Sequence, residues 1–110
     1  MKFSRVKVST TVPTTHAEKV REALGEAGAG VVGEYTYCSF SVAGYGRFRP
    51  SKDADPTIGQ ADKLETVEEE YIMVECPKAT VKQIVAALKK AHPYEEVIVD
   101  IVPLLEIDEL

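Results

Sequence analysis

The chain has 110 residues, 45% hydrophobic and 28% charged, with a formal net charge of −5, which suits a globular protein able to bury a core without disulfide or metal staples. The acidic balance excludes nucleic acid as the main partner, because phosphate binding needs a basic surface. No apolar run approaches the ~20 residues that span a bilayer, and no apolar segment follows Met1-Lys2-Phe3-Ser4-Arg5-Val6 as in a signal peptide; the expectation is a cytoplasmic protein without a membrane partner.

The first predicted element is a strand from Arg5 to Val12, halted by Pro13. A helix follows, with Thr15 as cap and Glu18 three residues on to complete a capping box. Val20, Ala23, Leu24 and Ala27 form its apolar stripe, and Gly28 ends it. Glu34 to Val42, rich in aromatic and β-branched residues, reads as a second strand. Gly44-Tyr45-Gly46 reads as a sharp turn inside a long β-ribbon.

The second half repeats this order. Val67 to Cys76 is the third predicted strand, stopped by Pro77, and a helix runs from near Thr80 to Ala91. An offset of 64 superposes Pro13 on Pro77, Val20 on Ile84, Leu24 on Leu88 and Ala27 on Ala91, so both helices offer the same face at the same distance from a strand. Pro93 ends the second helix and forces His92 into an extended conformation. Val97 to Val102 is the last strand. Two strand-helix-strand units in so short a chain make a single α+β domain over residues 1–110, a ferredoxin-like β-α-β-β-α-β sandwich with an antiparallel sheet and both helices on one face. The other face stays bare in a monomer, which predicts a closed oligomer.

Chemistry-bearing residues are few. Cys38 and Cys76 form no C-x-x-C pair and, each placed in a strand, read as small buried hydrophobes. The acidic runs at Glu65, Glu68, Glu69 and Glu70 and at Glu106, Asp108 and Glu109 read as solvated faces. His16, in a first helical turn, reads as a surface residue. His92, Glu95 and Glu96 offer an imidazole and two carboxylates suited to a divalent cation, copper or zinc, if a further donor such as Cys38 joins them. Against this stands a structural role, with His92 at the negative end of its helix, Tyr94 packed and the glutamates in water. Gly44 and Gly46 with Arg47 and Arg49 offer a weak anion nest, though the pattern has neither the strand-to-helix setting nor the Gly-Lys ending of a P-loop. No nucleophile elbow or triad signature occurs, and Cys38 with His92 is the one pair worth a catalytic thought.

The run Gly28 to Phe40, then Gly44-Tyr45-Gly46-Arg47-Phe48-Arg49-Pro50, Pro56-Thr57-Ile58-Gly59 and Ala91-His92-Pro93-Tyr94-Glu95-Glu96 together resemble the YqfO-type domain, the PII-like and CutA-like insert of the NIF-three family of dinuclear-metal proteins. The resemblance covers roughly residues 5 to 104 and implies a ferredoxin-like subunit in a homotrimer. This chain has Asp53 and Asp62 where that family commonly has glycine, and no basic residue near Tyr71. Because the chain starts in its first strand and ends soon after its last, no flanking dinuclear-metal domain is expected. The leading expectation is a non-enzymatic binding module that takes a divalent metal or a small anion at subunit clefts. An assembly domain holding a protein partner, without a ligand of its own, is the alternative, and a thiol- or metal-dependent hydrolase comes third.

Overall fold

The fold was taken from a computed structural model, which describes residues 2–110. Strand β1 (Arg5–Pro13) leads into helix α1 (Thr14–Glu26), followed by β2 (Phe40–Phe48), β3 (Glu65–Pro77), α2 (Val81–Ala91) and β4 (Val99–Leu104), with short 3-10 turns at Lys78–Thr80 and Ile107–Glu109. The strands form one sheet in the order β2-β3-β1-β4, every neighbouring pair antiparallel. This is the ferredoxin-like arrangement that the doubled strand-helix-strand pattern predicts.

Because side chains alternate across a strand, Val6, Val8 and Val12 of β1 share a face with Ile72, Val74 and Cys76 of β3, and both helices lie on that face. Val20 and Leu24 of α1 meet Ile84 and Leu88 of α2 in the fully buried core, the positions that the internal offset pairs. Arg21 ties α1 to β3 through an ion pair with Glu70.

Helix α1 begins on Pro13, with no side-chain cap. The expected capping box is not made, since the helix starts at Thr14 and the Thr15 hydroxyl lies instead against His16 Nδ1, 2.9 Å away. The other end is as expected. Gly28, at φ 102°, lets its own N–H reach Gly25 O (3.1 Å) and that of Ala29 reach Leu24 O (3.0 Å), the paired bonds of a Schellman stop.

The second strand is displaced from its predicted place. Residues 34–39 are not a strand, because positive φ at Gly30, Gly33 and Tyr37 turns the chain repeatedly. Strand β2 starts at Phe40 and runs unbroken through Gly44-Tyr45-Gly46, paired residue by residue with β3 from Phe40↔Met73 to Phe48↔Glu65. The expected turn is therefore straight sheet. Cys38 lies outside the strand and is half-buried, whereas Cys76 is fully buried as expected. Strand β4 includes Pro103, tolerated because β4 is a sheet edge. No helix among the described residues is long and apolar enough to cross a membrane.

Truncating either central leucine tests the assigned core. Leu24→Ala and Leu88→Ala should each cost ~2–5 kcal/mol in chemical denaturation, and losses under ~0.5 kcal/mol at both would place these side chains on the surface.

Candidate functional site

The face of the sheet away from the helices carries the other half of each strand. Register puts Thr11, Tyr71 and Val42 in one row across β1, β3 and β2, and Pro13, Glu69 and Gly44 in the next. After Phe48 the chain from Pro50 to Asp62 folds over this end of the sheet. It is closed by the Asp62 N–H donating to Pro50 O (2.6 Å) and tied to the turn after α2 at two points. The Asp55 N–H donates to Glu95 Oε1 (2.9 Å), and the Thr57 hydroxyl donates to Pro93 O (2.6 Å). Asp62 sits at φ 59°, a left-handed conformation that glycine adopts freely and aspartate tolerates. The aspartate thus keeps a backbone suited to glycine, whereas Asp53 needs no such conformation.

Between this loop and the sheet lies a cleft of ≈ 690 Å³. Thr11, Val42, Gly44 and Tyr71 are on its sheet side, and Phe48 and Tyr94, packed edge to face with centroids 5.7 Å apart, contribute aromatic rings. Glu69, only 7% exposed, also lines it. Its Oε2 accepts a hydrogen bond from the Tyr94 hydroxyl (2.9 Å); no donor among the described residues reaches Oε1. The two glycines of β2 make this arrangement possible. A side chain at Gly46 would overlap the Glu69 carboxylate, while one at Gly44 would meet nothing and would project into open space. The Tyr94 hydroxyl is raised well above the ordinary tyrosine range, chiefly by burial and then by its hydrogen bond to Glu69 and that group's negative charge.

His92 is 6% exposed and both ring nitrogens are engaged. Nδ1 accepts from the Tyr94 N–H (3.1 Å), and Nε2 faces Thr11 O at 2.7 Å. A backbone N–H can only donate and a carbonyl can only accept, so the ring is the neutral Nε2–H tautomer. No lone pair is left for a metal. Nor is a positive charge there to oppose the helix dipole; His92 instead fastens the end of α2 to β1. Glu95 is tied to the loop and Glu96 lines the cleft, while Cys38 borders a separate depression beside Lys7, Gly30 and Met73. The structure thus does not gather His92, Glu95, Glu96 and Cys38 around one point, and the described residues hold no cluster of three His, Cys, Asp or Glu side chains fit for a metal. A divalent cation does not fit this donor set. It does bring Gly44, Gly46, Arg47 and Arg49 to the same cleft, though the first three are strand residues rather than a backbone nest and Arg49 follows the strand.

Glu69 is the residue that sequence reasoning missed. Reading Glu65 to Glu70 as a solvated run is corrected at two positions, because Glu69 is buried in the cleft and Glu70 is bound to Arg21. The available signal was two glycines at i and i+2 in one strand, which leave room for a large side chain from the neighbouring strand. Only the register says which one.

The fold defines a class, the ferredoxin-like domain of CutA and PII type. CutA1 from a psychrotrophic Shewanella superposes with a TM-score of 0.70 at 18% identity, over 96% of this chain and 86% of that one. The more particular likeness is to NIF3-related proteins. A Bacillus cereus protein related to NIF3 matches at TM-score 0.81 and 42% identity over 94% of this chain. The Bacillus subtilis GTP cyclohydrolase 1 type 2 homolog is 46% identical over 98 residues, 89% of this chain. The chain is homologous to one segment of those proteins and spans about a quarter of their length, 26% in both cases. No family profile matches it.

Two outcomes follow from the hydrogen bonds. His92→Ala leaves Thr11 O and the Tyr94 N–H without their partner and should destabilise the fold by ~1–3 kcal/mol, measured by urea denaturation. A tyrosine whose folded-state value is raised contributes stability that is complete below its unfolded value of ~10 and drains as pH rises above it. The stability gap between wild type and Tyr94→Phe should therefore narrow as pH climbs past ~10, and a gap constant across that range would contradict the buried phenol.

Proposed function

We propose that this chain is a small-molecule-binding module that acts without catalysis, holds its ligand in the cleft between the sheet and the 50–62 loop, and works as a homo-oligomer. The observation that carries this reading is Glu69, a nearly buried carboxylate that lines a large cleft and has a protein donor on one oxygen and not on the other. Buried charges left half-satisfied are costly in a core, and in an aromatic-lined cleft they are what binds and orients a ligand. Binding is favoured over catalysis because His92 is committed on both nitrogens and Cys38 borders a different depression.

Oligomerisation is supported by the same uncovered face, on which Phe40, Val42 and Val102 are about half exposed or more. With β2 and β4 as open edges, a second copy can cover this surface. An assembly role is the second reading, favoured by that patch alone.

Gly44→Val tests the site. The new side chain enters empty space in a strand where valine is at home, so it should block the cleft and leave the fold intact. The panel is GTP, prompted by the relatives' name, with ATP, the common amino acids, and copper and zinc, prompted by the CutA likeness. A cleft ligand at 100 times its Kd should raise the Tm of wild type by on the order of 10 °C and leave Gly44→Val unmoved. Equal shifts in both proteins would place binding elsewhere and overturn the reading. A monomer by light scattering at micromolar concentration would remove the oligomer from it.

A further inference from the structure

The cleft is lined by charges of both signs that do not pair with one another. At its sheet side the Glu69 carboxylate takes one hydrogen bond, from the Tyr94 hydroxyl, through Oε2. Oε1 has no donor, and the seat it occupies exists only because Gly46 lacks a side chain. Arg47 and Arg49 line the same cleft, are exposed, and form no ion pair with Glu69. Within the described residues the ion pairs are Arg5 with Glu75 and Arg21 with Glu70, so the cations lining the cleft do not neutralise the carboxylate. Around it stand the rings of Phe48, Tyr94 and Tyr71.

Resting on the cleft as the binding site, we infer that its ligand enters with a cationic N–H group foremost, an amidinium, guanidinium or protonated amine on a flat or aromatic body, and that Glu69 Oε1 selects that group. An anion at this point would face a carboxylate, and like charges repel. A neutral apolar group would leave Oε1 without any partner. A cationic N–H donor satisfies both the charge and the hydrogen bond, and its charge adds attraction to the faces of the surrounding rings. Anionic groups are confined to the arginines, so the small anion expected from Gly44, Gly46, Arg47 and Arg49 becomes at most the trailing end of such a ligand.

The probes are benzamidine and benzoate, flat molecules of similar size and opposite charge, titrated into the isotopically labelled full chain while the Gly44 and Gly46 amides are followed by NMR. Benzamidine should shift both amides and bind about ten-fold or more tightly than benzoate, the effect of one charge-assisted hydrogen bond. Glu69→Gln keeps an oxygen for Tyr94 but loses the charge, and should weaken benzamidine by a similar factor. Glu68→Gln, on the opposite face of β3 and exposed, should change nothing. Equal benzamidine affinity in wild type and Glu69→Gln, a preference for benzoate, or no movement of the two amides with either probe overturns the inference. The cleft reading itself falls on a different result, ligand binding that Gly44→Val leaves intact.

Discussion

The imidazole of His92 is held from both sides, by Thr11 O of β1 and by the Tyr94 N–H two residues on, and this double tether decides what the chain does after α2. Proline at position 93 already forbids the helix to continue. It does not say where the chain must go. The hydrogen bond to Thr11 pins the turn over the end of β1, and the bond to the Tyr94 N–H curls the next residue back so that its ring reaches Phe48 and its hydroxyl reaches Glu69. Glu95 and Pro93 O then receive the 50–62 loop. An aromatic wall, the partner of a buried carboxylate and the anchor of a long loop thus descend from one neutral ring.

The two faces of the sheet are built on different terms. The helix side is an aliphatic core in which Leu24, Leu88, Ile72 and Ile84 are fully buried, and its stability comes from removing that surface from water. The other side has no helix over it, so its cover is assembled from a loop, a turn and whatever the protein associates with. Here β2 trades side chains for space. Gly44 and Gly46 would be weak choices for a strand on propensity alone, yet they allow Glu69 to be seated and a cleft to stand beside it. A strand that gives up local preference at two positions on one face is consistent with a site on that face.

The likeness to CutA structures below 25% identity and to NIF3-related proteins above 40% separates what is shared. The chain path is common to both groups. The cleft described here depends on Glu69, Tyr94 and the glycines of β2, which are particulars of a sequence and not of a fold. Divalent cation chemistry, attractive while His92, Glu95, Glu96 and Cys38 were only letters in a row, loses its imidazole donor once each nitrogen of His92 has a partner.

By itself the sequence determined the elements whose signals are local and periodic. The helix stripes around Leu24 and Leu88, the stops at Gly28 and Pro93, and the repeated strand-helix-strand order were legible because each rests on contacts within a few residues or on one fixed period. The topology followed, since few ways exist to pack two such units. Tertiary structure decided the rest. Residues 34–42 have the composition of a strand, but the positive φ angles of Gly30, Gly33 and Tyr37 leave only the last of them in the sheet, and pairing with β3 draws Gly44 and Gly46 into β2 instead. Glu69 looks like its neighbours Glu68 and Glu70, and a period of two cannot say which face is covered or what stands opposite. Register put Gly44 across from it and folding brought Tyr94 to it, contacts between residues 25 positions apart in the chain, which no local pattern of residues can encode.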